Sequence, residues 1–187
     1  MEQPPCPARS LDKRKAVDAI RLLRHATRIE KIAAEIYGIL SRRFASDPTL
    51  HRFWASMAED ERKHAKKLAT WRRLLERTPP ERRPDCDEFS AGIRDLEILA
   101  RELCTRAEKV HDVEGAFSIA LALEISELDV IYTRLLQSSP IARFPDLEET
   151  RKSEIGRHHE ALLEIVRARS KDESNRTRAA LLAAEEP

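Results

Sequence analysis

Proline decides where this chain can be helical. Inside a helix or a central strand it removes a backbone hydrogen bond and clashes with the turn before it. The sequence holds 10 prolines, and those away from the two ends mark three breaks only: Pro48, the stretch Pro79 to Pro84, and Pro140 with Pro145. Between the breaks run long proline-free segments, and with only 4 glycines in 187 residues they contain little else that interrupts a helix.

The apolar residues in those segments recur at helical spacing. From about Ser10 to Ala45 the stripe is Ile29, Ile32, Ala33, Ile36, Tyr37, Leu40 and Phe44. Asp47 then offers an N-cap and Pro48 a first helical position. They predict a second helix to about Arg77, with Leu50, Trp54, Met57, Ala58, Leu68, Trp71 and Leu75 facing inward. Beyond the Pro- and Arg-rich break from Thr78 to Pro84, a side or crossover helix is expected from about Asp87 to Lys109, on Phe89, Ile93, Leu96, Leu99, Ala100 and Leu103. Asp112 can cap the next, to about Gln137, with Phe117, Ala120, Leu121, Leu128, Ile131 and Leu135. A last main helix is expected from about Asp146 to Arg169.

Short loops make neighbouring helices antiparallel, so two hairpins joined by one long connection give an all-α, ferritin-like four-helix bundle whose crossover contains an extra helix. The bundle is expected over residues 10–170. The Pro-rich stretch 1–9 is expected to be disordered, and 171–187 to be a charged tail or a short docking helix.

Composition narrows the function classes. Charged residues make up 36% of the chain, yet the formal net charge is +1, so no strong field points to nucleic acid. The N-terminus lacks a basic-then-apolar leader pattern, and no apolar run is long enough to span a membrane, so the expected location is cytoplasmic. Cys6, Cys86 and Cys104 are odd in number and widely spaced, which argues against a disulfide framework and a thiolate metal site.

Four ionisable positions stand on or beside the buried stripes: Glu30, Glu61 with His64, Glu124, and His158. A buried carboxylate without a partner is costly, and a cation shared at the bundle centre would supply one. Oxygen donors with imidazole suit iron or manganese. Depth supports convergence. Glu30 lies 17 residues before Asp47 and Glu61 lies 14 after it, roughly 25 and 21 Å from the same end at helical rise. Glu124 lies 16 before Pro140 and His158 lies 13 after Pro145, a matching height in the second hairpin. The bland readings are pairing of Glu30 and Glu124 with arginines and a hydrogen-bonded core histidine at 158. With 22 glutamates and 6 histidines, an E-x-x-H match also arises by chance: Glu108 to His111 is a second one, at a helix end.

The same residues resemble the rubrerythrin-like, ferritin-like di-iron family. Glu30 to Tyr37 is similar to the first helix, where a ligand glutamate precedes a tyrosine by seven residues. Glu59-Asp60-Glu61-Arg62-Lys63-His64-Ala65 resembles the second-helix E-x-x-H-A motif, and Glu124-Ile125-Ser126-Glu127 the third-helix E-x-x-E. The resemblance covers about residues 15–170. It implies two irons per chain, with manganese or another divalent metal as a substitute, and Glu30, Glu61, His64, Glu124 and Glu127 carried over as ligands beside His158.

Two departures stand out. In the fourth helix Ile155 occupies the place of the bridging glutamate before His158, and Glu154 is one turn nearer the loop. No rubredoxin module is present, so electrons would come from an external donor. The implied activity is peroxide reduction or oxidation of ferrous iron, with peroxide or dioxygen as oxidant. A non-catalytic iron-handling bundle and a metal-free interaction module are the alternatives. Neither nucleic acid nor membrane is an expected partner, and a homodimer is compatible with the family. Tyr37 and Tyr132 are read first as core tyrosines and second as hydrogen-bond donors to the site.

Overall fold

The computed structural model describes residues 12–79, 90–127 and 156–184, and among them there are six helices and no strand. In chain order they are α1 (Asp12–Arg43), α2 (Pro48–Arg77), α3 (Ser90–Ala107), α4 (Val113–Glu127), α5 (Gly156–Arg169) and α6 (Glu173–Ala184). The predicted parts of the long helices around Leu128, Ile131, Leu135 and Gln137, and from Asp146 to Ile155, lie outside the described residues. So do segment 1–9, Phe89, Cys6 and Cys86.

The first hairpin is set by local chemistry. The Asp47 carboxylate accepts from the backbone N–H of Thr49 and Leu50, satisfying donors that a helix start leaves open, and Pro48 takes the first position. Ser41 and His51 close the hairpin, with the Ser41 hydroxyl 3.0 Å from His51 Nδ1. Arg169 reaches back to the Asp47 carboxylate and ties the end of α5 to this turn.

The core is continuous across the helices. Ile29, Ile36, Tyr37 and Leu40 of α1 are fully buried, as are Trp54 of α2 and Phe117 of α4. Tyr37 stacks on Trp54 with ring centroids 5.8 Å apart, and Trp54 meets Phe117 at 5.9 Å. Truncating an aromatic anchor of this kind to alanine typically costs about 3–5 kcal/mol. Ile32, Phe44, Trp71 and Leu99, expected in the core, are only half-buried at its margin.

Helices α1, α2, α4 and α5 surround one centre, a ferritin-like bundle. Helix α3 packs on α1, where His25 Nδ1 sits 2.5 Å from the Glu97 carboxylate. The expected tail-or-docking segment contains α6, which packs on α4 and α5. Glu114 of α4 holds it there, accepting from the Ser170 hydroxyl, the Lys171 N–H and the Asn175 amide. No described helix is long and apolar enough to cross a membrane.

Candidate metal centre

Four helices each deliver ionisable side chains to the middle of the bundle. Helix α1 supplies Glu30, α2 Glu61 and His64, α4 Glu124, and α5 His158 and His159. None is more than 7% exposed. The spacing of three between Glu61 and His64 puts both on one face, so His64 Nδ1 lies 2.9 Å from Glu61 Oε2 and 3.5 Å from Glu30 Oε2. His158 Nε2 stands between two carboxylates, 3.1 Å from Glu61 Oε1 and 3.0 Å from Glu124 Oε1. His159 Nε2 is 3.2 Å from the other Glu124 oxygen, and the Tyr37 hydroxyl donates to Glu124 Oε1.

Burial and mutual pairing push these groups far from their ordinary ionisation. Burial, reinforced by the neighbouring Glu61 charge, raises the Glu30 carboxyl to about 8. Burial opposes the charge on His64, but its bonds to Glu30 and Glu61 prevail and raise it to about 10. For Glu61, burial is outweighed by His158 and then His64, which bring it to about 2. Glu124 is held well below the carboxylate range, because His158 and His159 outweigh its burial. His158 is held well above the imidazole range, because Glu124 and Glu61 do the same for it.

The donor set fits a pair of cations. Glu30, Glu61 and His64 offer ligand atoms that all lie within 4.8 Å of one another, and so do Glu61, Glu124 and His158. Glu61 belongs to both groups, so its two oxygens can serve two neighbouring ions. Its Oε1 is buried and its described contact is His158 Nε2 at 3.1 Å, which leaves lone-pair capacity that a cation would use. Carboxylate oxygens with imidazole nitrogens suit a di-iron site.

Of the sequence-predicted ligands, Glu30, Glu61, His64, Glu124 and His158 are thus brought together. Glu127 ends α4, and its carboxylate lies outside what the structure describes, as do Glu154 and Tyr132. The second E-x-x-H match is at the surface, with Glu108 and His111 both exposed. The described partners of Glu124 are Tyr37, His158 and His159, with no arginine among them.

One site residue, His159, is not singled out by the sequence, although it anchors the second Glu124 oxygen. Tyr37 is buried in the core, its first reading, and its hydroxyl also bonds a site carboxylate, its second. The adjacent pair His158-His159 was the available signal, because two successive helical positions flank one stripe.

Comparison with known families places the geometry. Residues 21–112 match the family model described as rubrerythrin. The match holds Glu30, Glu61 and His64, while Glu124 and His158 lie beyond it. Neither the curated proteins nor the solved structures contain a match.

Proposed function

From a chain that is rubrerythrin-like over residues 21–112, we propose a di-iron protein that reduces peroxide, with electrons from an external donor. One iron would be held by Glu30, Glu61 and His64 and the other by Glu61, Glu124 and His158, with Glu61 shared. The overlap of the two ligand groups at Glu61 is the observation that carries this reading. Glu127 and Glu154 are proposed as further carboxylates for the same pair. Manganese is a proposed substitute for iron, and a cytoplasmic setting and a homodimer belong to the same proposal.

Bound iron would supply two-electron redox chemistry. The protein's own part is to hold and orient. Tyr37 and His159 each take one oxygen of Glu124 and so fix the plane of that carboxylate. Without metal, His64 and His158 carry protons close to Glu30, Glu61 and Glu124 and offset their negative charge, and they would give those protons up on becoming ligands. Ferrous-iron oxidation is the finer alternative with the same ligands.

A metal-free bundle is favoured by one observation of its own, that the carboxylates and imidazoles pair with one another. Metal analysis of protein produced with iron, followed by peroxide titration under near-UV absorption, separates the readings. About two irons per chain with peroxide-driven oxidation is expected. Tight metal without turnover would indicate an iron-handling bundle. Absence of metal, with undiminished stability of the Glu61→Ala/His64→Ala double variant, would exclude the site.

A further inference from the structure

Surface charge is unevenly divided, although the whole chain carries a net charge of only +1. Between Arg21 and Ala34 of α1 the exposed residues are all cations: Arg21, Arg24, Arg28 and Lys31. Steps of three and four keep them in one row. The row stands on the solvent side of α1, between His25, which meets α3, and Ser41, which meets α2. On α2, Lys66, Arg73 and Arg77 make a second exposed row, seven and four residues apart.

The rows lie at one depth. Arg28 is 19 residues before Asp47 and Lys66 is 19 after it, while Arg21 is 26 before and Arg73 is 26 after. Antiparallel helices joined by a short turn bring such pairs to equal height. None of these seven cations has a described carboxylate at ion-pair distance. Nearer the turn, by contrast, Glu59 offsets Arg62 and Asp60 offsets Lys63. Arg24 with Arg28 and Arg73 with Arg77 are like-charge pairs four residues apart, a mild cost that an acidic partner would reverse.

Position ties this surface to the metal centre. Lys66 follows His64 by two residues, about 200° round the same helix. It is exposed where Glu61 and His64 are buried, so one helix width, roughly 10–12 Å, separates the row from the ligands. The rows hold no aromatic residue on which a nucleic-acid base could stack. Leu74 is the one large apolar side chain described as exposed on α1 or α2, too little to enter a lipid surface.

We propose that the outer face of the α1–α2 hairpin docks an acidic iron–sulfur protein that delivers electrons one at a time across α2. The inference rests on the di-iron redox reading above. Two successive encounters each oxidise one reduced carrier. The two electrons, with two protons, break the O–O bond of hydrogen peroxide and leave two waters.

The test uses the full chain and two separate readouts. Isotope-labelled, metal-free protein is titrated with an acidic two-iron ferredoxin at about 0.01 M salt. Saturable amide shifts centred on the two rows are expected. Lys66→Glu/Arg73→Glu, or salt of about 0.15 M, should weaken them at least about tenfold. The matched reversal Arg106→Glu/Lys109→Glu, at exposed positions at the end of α3, should leave them intact. In iron-loaded protein the α2 reversal should slow peroxide-driven oxidation of reduced ferredoxin by a similar factor and leave that of hydroquinone, a small uncharged reductant, unchanged. Shifts centred elsewhere, or shifts that the α2 reversal leaves intact, would overturn the docking face. Tighter binding of a duplex oligonucleotide or of phosphatidylserine vesicles to the same rows would also overturn it and assign the face to that partner. Failure to reduce peroxide with either reductant, beside intact ferredoxin shifts, would overturn the peroxide reading alone, since the binding readout needs no metal.

Discussion

Neutralising Glu61 in metal-free protein probes the centre of the network. The Glu61 carboxylate is 1% exposed and lies 2.9 Å from His64 and 3.1 Å from His158, whose ring centroids are 5.8 Å apart. Glu61→Gln keeps the shape and removes the charge between two imidazolium rings. Breaking a buried pair from one side costs about 3–5 kcal/mol, because the remaining charge is stranded. With a urea slope of about 2–3 kcal/mol per molar for a chain of this size, the transition should move down by roughly 1–2.5 M. The control is Glu59→Gln, which removes the partner of Arg62 in a pair about half exposed on both sides and should cost under about 0.5 kcal/mol. The assay is urea unfolding of chelator-treated protein at pH 6, where His64 is protonated. If the two variants unfold at the same urea concentration, Glu61 is not the shared counter-charge of the two histidines.

Metal stoichiometry should follow ligand sharing: Glu30→Ala leaves the Glu61, Glu124 and His158 group and retains one iron, whereas Glu61→Ala retains neither, as read by native mass spectrometry. Metal-free stability should be greatest near pH 4.5 and should fall more steeply above about 6.5. The Glu30 and His64 contributions are complete below their ordinary values of 4.5 and 6.5 and are lost as pH rises through about 8 and 10, while that of Glu61 is present above 4.5 and lost as pH falls through about 2. A melting temperature still rising from pH 7 to 10 would contradict these directions. Tyr37→Phe strips a buried donor from Glu124 and should destabilise by about 1–3 kcal/mol in the same urea assay. Glu114→Ala removes the acceptor that Ser170, Lys171 and Asn175 share, and faster amide exchange confined to α6 is the expected result.

What the sequence made legible was local. Helix α2 runs from Pro48 to Arg77 as expected, because its start is written into adjacent residues, an N-cap aspartate followed by proline. Buried charge was equally legible: Glu30, Glu61, His64, Glu124 and His158 interrupt apolar stripes, and matched depths brought them to one height. What escaped depends on contacts between distant positions. The hydroxyl of Tyr37 meets a carboxylate 87 residues away, so the sequence offers that bond only as a second reading behind a plain core aromatic and cannot name the acceptor. His159 lies about 100° around the helix from His158, and only the placement of α5 beside α4 decides that both rings reach Glu124. The docking of α6 likewise rests on Glu114, which in sequence is just an acid in the first turn of α4.

The ionisation pattern explains how one network can serve a folded metal-free chain and a metal-loaded one. Near neutral pH, Glu30 is held protonated, Glu61 and Glu124 are negative, and His64 and His158 are positive, so these five groups cancel inside the bundle. Charge balance therefore sets no requirement for a cation in the metal-free bundle, unlike small domains whose folding energy is metal binding itself. A metal ion must instead take the place of protons, since imidazole nitrogen and carboxylate oxygen bind only when deprotonated. Loading both positions would displace one proton each from Glu30, His64 and His158, so affinity should climb with pH over the range in which the metal-free form loses stability. The opposition of those two slopes follows from a single cause: the same buried carboxylates hold either protons on their neighbours or a cation among them.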